Sequence, residues 1–209
     1  GSDAFTLFTT YGFPIELTEE LANEKGIKID KAEFETKMKE HQALSRTASA
    51  GMFKGGLANT NEATVKLHTA HHLLLAALQE VLGKEVKQRG SNITEERLRI
   101  DFSFDRKMTD SEKQSVEDAV NENIRRDLKV IKREMPKEEA EKIGAEMEFG
   151  AKYADVVSVY FIEDEAGNQI SKEFCGGPHV EHTGILGHFK IQKEEASSQG
   201  VRRIKAILE

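Results

Sequence analysis

The sequence predicts an α+β fold: a two-layer arrangement in which an antiparallel sheet is packed against helices. Three observations carry this. Asn61–Leu82 reads as one long helix with a dense apolar face. Arg97–Phe104 (RLRIDFSF) alternates polar and apolar residues with period two. Val156–Ile162 is a β-branched and aromatic run that Glu165-Ala-Gly-Asn168 turns back into Gln169–Phe174.

Taken in order, Leu17–Lys25 and Lys31–Arg46 predict two short helices, with Thr18 and Asp30 as caps and Gly26 as the stop between them. Thr47–Asn59 is rich in Ala, Gly, Ser and Thr without periodicity and reads as a linker. The long helix follows, capped by Thr60 or Asn61 and closed by Gly83. Gly90-Ser91-Asn92 reads as a turn. The alternation of Arg97–Phe104 turns Leu98, Ile100, Phe102 and Phe104 inward. Thr109–Leu128 is helical, and Thr109-x-x-Glu112 has the spacing of a capping box. A strand at Lys129–Glu134 precedes a short helix begun by Pro136. His188–Lys193 and Val201–Leu208 supply the last two strands. The domain boundary falls near residue 50, giving an N-terminal helical segment over 1–50 and a larger domain over 51–209.

Composition narrows the function classes. The chain has 209 residues, 32% of them charged and 7% aromatic, with no tryptophan. Its longest apolar run, Leu73–Leu78, is too short to span a membrane. A single cysteine excludes an intramolecular disulfide and fits a reducing cytoplasm. The opening Gly1-Ser2 reads as a cleavage scar, and the chain as a piece of something larger. A net charge of −7 argues against indiscriminate nucleic-acid binding. Two segments are nevertheless net positive. Val86–Lys107 carries six basic residues against four acidic, and Gly184–Glu209 five against three. Arg97, Arg99, Arg202 and Arg203 cluster there as candidates for contact with one phosphate backbone.

Two motifs carry the chemistry. His68-Thr-Ala-His71-His72 places imidazoles on one helix face, and Cys175-Gly-Gly-Pro-His179 bends a thiol and an imidazole around a glycine turn. Three imidazoles and a thiolate suit Zn²⁺ better than Mg²⁺ or Ca²⁺. Spacing alone leaves His71 in competition with His72. Gly176 and Gly177 would let a ligand backbone approach the centre. Gln88 is a candidate for hydrogen bonding a substrate hydroxyl. A zinc peptidase of the HExxH kind is disfavoured, because Thr69 stands where the glutamate would be.

Five segments, in order, carry a resemblance: Thr10-Tyr-Gly-Phe-Pro-Ile-Glu-Leu-Thr18, His68-Thr-Ala-x-His72, Gly90-Ser-Asn-Ile93 before Arg97-Leu-Arg-Ile-Asp-Phe102, Cys175-Gly-Gly-x-His-Val180 and Gly200-Val-Arg-Arg-Ile204. Together they resemble the alanyl-tRNA synthetases, over the editing domain and the segment leading into it. The metal motifs are shared with threonyl-tRNA synthetase editing domains and free-standing editing proteins; Tyr-Gly-Phe-Pro favours the alanyl family.

The resemblance implies a ligand set of His68, His72, Cys175 and His179 for Zn²⁺, lying between a helix and a glycine-rich turn. It implies Cys175 and Gln88 as catalytic or sensing residues. The implied reaction is hydrolysis of mischarged tRNA(Ala) carrying serine or glycine, in the cytoplasm, with ATP and alanine handled by an aminoacylation domain outside this chain. A non-catalytic tRNA-docking module with a structural zinc is the alternative. The chain departs from the family pattern at His71 and Pro178, where threonines are usual. It also has only about twenty residues between Arg46 and His68, where longer members insert a β-barrel.

Overall fold

Helix α4 (Glu62–Leu82) organises the larger part of the chain. The computed structural model describes residues 1–11, 13–50, 56–148, 151 and 153–209. The chain divides into two units, Gly1–Met52 and Phe53–Glu209.

The first unit holds α1 (Ser2–Tyr11), α2 (Ile15–Glu24) and α3 (Lys31–Ala50). The Asp30 carboxylate accepts the Glu33 N–H at 3.0 Å, as its capping role predicts. Gly26 takes φ +69° at the close of α2, where a side chain would be strained. Thr18 is not a cap. Pro14, with φ fixed near the helical value, starts α2 earlier, and the Thr18 hydroxyl donates back to the Pro14 carbonyl at 3.1 Å. Nor does α3 stop at Arg46: its backbone is helical to Ala50, consistent with alanine's high helix propensity. Of the predicted linker, residues 51–55 lie outside the described residues, as does Gly12 of the Tyr-Gly-Phe-Pro segment.

In the second unit, Asn61 caps α4 by accepting the Thr64 N–H at 2.9 Å, and Gly83 ends it at φ +121°. The remaining α-helices and strands are β1 (Gln88–Ile93), β2 (Leu98–Ser103), α5 (Asp110–Arg125), β3 (Lys129–Pro136), α6 (Lys137–Lys142), β4 (Val156–Glu163), β5 (Gln169–Phe174), β6 (Phe189–Ser198) and β7 (Val201–Leu208). The capping box at Thr109 and Glu112 is formed in both directions.

The strands make two antiparallel sheets rather than one. The first has the order β1-β2-β7-β6 and the second β3-β4-β5. Leu98, Ile100 and Phe102 are fully buried in a cluster with Leu73, Leu74 and Leu78 of α4, so the first sheet turns its apolar face to that helix. A second, smaller cluster joins Ala140 to Val157, Val159, Phe161 and Phe174.

Gly90-Ser91-Asn92 is not a turn. These residues pair with Asp101, Ile100 and Arg99 of β2, after an irregularity between Gln88 and Gly90. Their low intrinsic strand preference is overridden by pairing along the β2 edge.

Candidate metal centre

One turn of α4 separates His68 from His72, so both imidazoles leave the same face, with ring centroids 5.2 Å apart. Strand β5 delivers the other half of the site. The Phe174 N–H donates to the Glu146 carbonyl at 2.9 Å and the Cys175 N–H to the Ser158 carbonyl at 3.1 Å, which fix the chain where it leaves the sheet. Gly177 then passes close under His68. A Cβ added there would stand 2.5 Å from the imidazole Cε1, so only glycine fits. Gly176 has nothing within 4 Å of such a position.

The two halves converge. The ligand-capable atoms of His68, His72, Cys175 and His179 all lie within 4.8 Å of one another, an arrangement that could hold a metal ion. Cys175 Sγ is 3.4 Å from Nε2 of both His68 and His179. Each Nδ1 faces outward toward a different group. His68 Nδ1 is 3.0 Å from the Pro178 carbonyl, which can only accept. His72 Nδ1 is 3.6 Å from a Glu173 carboxylate oxygen, just beyond hydrogen-bond length. His179 Nδ1 is 3.1 Å from the Thr69 hydroxyl. The His179 ring stacks on His68 at 4.0 Å and meets Tyr160 at 4.3 Å.

Burial sets the protonation states. It lowers His68 to about 4 and holds His72 and His179 well below the ordinary imidazole value, so all three are neutral, as ligands must be. Burial also pushes the Cys175 thiol up to about 12 and Glu173 up to about 8, the latter opposed by the Ser171 hydroxyl donating at 2.9 Å.

His71 is separate from this set. It is 3% exposed, burial lowers it to about 3, and its Nε2 has no hydrogen-bond partner. It lines a cavity of about 20 Å³ together with Gln88, His72, Glu148, Glu173 and Cys175. That is about one water site. Gln88 thus stands on the same cavity as the thiol.

The predicted arginines do not form one strip. Arg203 grips Asp101 through Nε at 2.6 Å and Nη2 at 2.9 Å, with Arg99 Nη2 3.7 Å from the same carboxylate. By alternation this group lies on the sheet face turned away from α4. Arg202 instead pairs with Glu194, whose side chain is fully buried. Arg97 donates to the Asn92 carbonyl at 3.0 Å and to its side-chain oxygen at 2.8 Å. Sequence reasoning missed Thr69, Glu173 and the Pro178 carbonyl. Only Glu173 left a trace, an acidic residue at a buried position two steps before Cys175.

Comparison with known proteins gives two family matches along the chain. Residues 1–116 match the family described as tRNA synthetases class II (A), and residues 157–205 match the threonyl and alanyl tRNA synthetase second additional domain. The alanine–tRNA ligase of Treponema denticola is 58% identical over 209 residues, all of this chain and 34% of that protein. Those of Borrelia hermsii and Treponema pallidum are 56% and 54% identical, again over 100% of this chain and 34% of each protein. The chain therefore spans about a third of the length of these relatives.

Proposed function

The chain belongs to the class II (A) tRNA synthetases, its relatives in that family being alanine–tRNA ligases, and on that premise we propose that residues 51–209 are an editing domain that hydrolyses tRNA(Ala) mischarged with serine or glycine. The residues 1–50 would be the helical segment leading into it. The aminoacylation site, with its ATP and alanine, would lie in the rest of the parent enzyme. A site shaped for alanine discriminates poorly against glycine, which leaves a hole, and against serine, which adds only a hydroxyl. A second, hydrolytic site answers that deficit.

The observation that carries the reading is the convergence of three neutral imidazoles and a thiol on one point, with Cys175 and His179 supplied by the region that matches the threonyl and alanyl additional domain and His68 and His72 by the region that matches the class II (A) synthetases. The donor set fits Zn²⁺. Zinc–ligand distances of 2.0–2.3 Å at tetrahedral angles separate sulfur from nitrogen by about 3.5 Å, and the two Sγ–Nε2 distances here are 3.4 Å. His68, His72, Cys175 and His179 would hold the ion. When bound, it supplies Lewis-acid polarisation of an ester carbonyl and a water of lowered pKa.

The chain's own residues supply the rest. Cys175 would be the ligand that exchanges or acts on its own. Gln88 offers an amide to the seryl hydroxyl that alanine lacks, and a buried amide left unpaired discriminates. Gly176 leaves open space beside the thiol for the nucleotide, while Gly177 shapes the turn. Arg97, Arg99, Arg202 and Arg203 are the phosphate contacts of this reading; Arg99 and Arg203 are the pair that share one outer face. A cytoplasmic setting would keep the single thiol reduced.

A second reading rests on one specific observation. Four protein donors close a tetrahedron, the usual mark of a structural zinc. The domain would then dock tRNA without cleaving it. Incubating the zinc-loaded chain with Ser-tRNA(Ala) and Ala-tRNA(Ala) separates the two: turnover on the seryl ester, sparing the alanyl ester and lost in Cys175→Ala with the fold intact, supports the hydrolase. No turnover in the parent enzyme carrying this domain would overturn it.

A further inference from the structure

Thr69 stands one residue after His68 but not on the face that presents the ligands. It is fully buried, and its hydroxyl is met by three groups. The Val65 carbonyl lies 3.3 Å away, one helical turn back. The Val180 N–H donates to it at 3.2 Å. The third neighbour is His179 Nδ1, at 3.1 Å. A hydroxyl has one proton to give and two lone pairs. In a helix the proton's ordinary destination is the carbonyl four residues back, here that of Val65. The Val180 N–H takes one lone pair. A single lone pair remains, and it faces the imidazole.

We propose that Thr69 is a positioning residue for His179: its hydroxyl accepts the Nδ1–H, fixes the ring in that tautomer before any metal arrives, and leaves the Nε2 lone pair aimed at the centre. This rests on reading His68, His72, Cys175 and His179 as a metal centre. The ring's other face contacts agree with a held orientation, since His68 stacks on it at 4.0 Å and Tyr160 closes the far side at 4.3 Å. The same hydroxyl also ties the ligand turn to α4, because Val180 belongs to the segment after His179 and Val65 to the helix. One side chain therefore sets both the tautomer of the fourth ligand and the distance between the two halves of the site. Outer partners of metal-bound histidines commonly have this role, and losing one weakens metal binding about 10- to 100-fold.

Two measurements test it. The first is the long-range ¹H–¹⁵N spectrum of the metal-free, ¹⁵N-labelled wild-type chain. The proposal expects the Nδ1 of His179 to be protonated and Nε2 to be bare; a protonated Nε2 overturns it without any variant being made. The second is competition titration with Zn²⁺ and with Co²⁺, whose visible bands report ligand geometry. Thr69→Val keeps the shape and removes the hydroxyl, and should weaken binding about 10- to 100-fold with altered cobalt bands. Thr69→Ser restores the hydroxyl and should return affinity to within about threefold of wild type. Equal affinity in wild type and Thr69→Val overturns the proposal, as does a Thr69→Ser chain that folds but binds as weakly as Thr69→Val. If Thr69→Val does not fold, the serine variant and the spectrum still decide. A wild-type chain that takes up neither metal sinks the metal centre itself, a separate failure, and the tautomer spectrum then reads the Thr69 contact by itself.

Discussion

Gly177 lies so close to His68 that a methyl group on its Cα would stand 2.5 Å from Cε1 and 3.0 Å from Nδ1 of the imidazole. The glycine is thus a condition for the histidine's position. Gly176, its neighbour, has open space in the same direction. The two glycines of one motif therefore answer to different demands, and a paired substitution tells them apart.

Gly177→Ala should push the His68 ring off its place and reduce metal content at least about tenfold, the scale of a lost ligand contact. Gly176→Ala should bind metal like the wild type. The check is metal analysis of the two purified variants after dialysis, and equal metal in both would refute the steric argument.

Purified wild-type chain should hold about one zinc. His72→Ala should lose it, because His72 is among the four converging donors. His71→Ala should keep it: the His71 ring centroid is 6.3 Å from that of His72 and its Nε2 borders the cavity without a partner. Metal retained by His72→Ala and lost by His71→Ala would reverse the ligand assignment.

Metal uptake should release protons in a pH-dependent number. The Cys175 thiol, pushed up to about 12 by burial, must ionise to ligate at any ordinary pH. The histidines release none above pH 6, since His68 is lowered to about 4 and the others further. Glu173, raised to about 8, is protonated in the empty site at pH 7, and a nearby cation favours its ionised form. About two protons should leave at pH 7 and about one at pH 9. Calorimetry in buffers of differing ionisation enthalpy counts them, and Glu173→Gln should remove one at pH 7 only. A count independent of pH would show that Glu173 does not respond to the ion.

Arg202 and Arg203 should separate stability from RNA contact. Arg202→Ala strands the fully buried Glu194 carboxylate and should cost about 3–5 kcal/mol in denaturant unfolding. Arg203→Ala leaves Asp101 with Arg99 nearby, so the loss of stability should be smaller. Its effect belongs on tRNA instead, with weaker affinity and a salt slope shallower by roughly 0.7 to 0.9. Unchanged affinity and slope in Arg203→Ala would mean that this face is only solvated surface.

Much of this architecture was legible in the sequence, and the misses share physical causes. Helices α4 and α5 and strands β2, β4, β5 and β7 declared themselves through periodicity, caps and β-branched runs, signals internal to each segment. Strand β1 did not, because Gly90, Ser91 and Asn92 carry no strand signature and owe their conformation to the β2 edge. Thr18 was misread because a proline at Pro14 set the helix start ahead of it. At the site, His68, His72, Cys175 and His179 were visible as spaced donors. Thr69 and Glu173 were not, since the partners that tie Thr69 to the site, His179 and Val180, lie 110 and 111 residues away and Glu173 meets His72 only through the fold of β5 onto α4.

The placement of the four donors has a consequence for how the second unit opens. Two come from α4, within the larger apolar cluster; two follow β5, whose Phe174 belongs to the smaller cluster around Ala140. The two clusters meet at Ile162 of β4, which sits in the larger one, and segments with largely separate cores tend to fluctuate as separate cooperative units. An ion shared between them would join those units, so that amides in β4 and β5 exchange with solvent no faster than those in α4. In the metal-free chain the three-stranded sheet should exchange first, and the gap between the two exchange rates would measure how strongly the centre couples them.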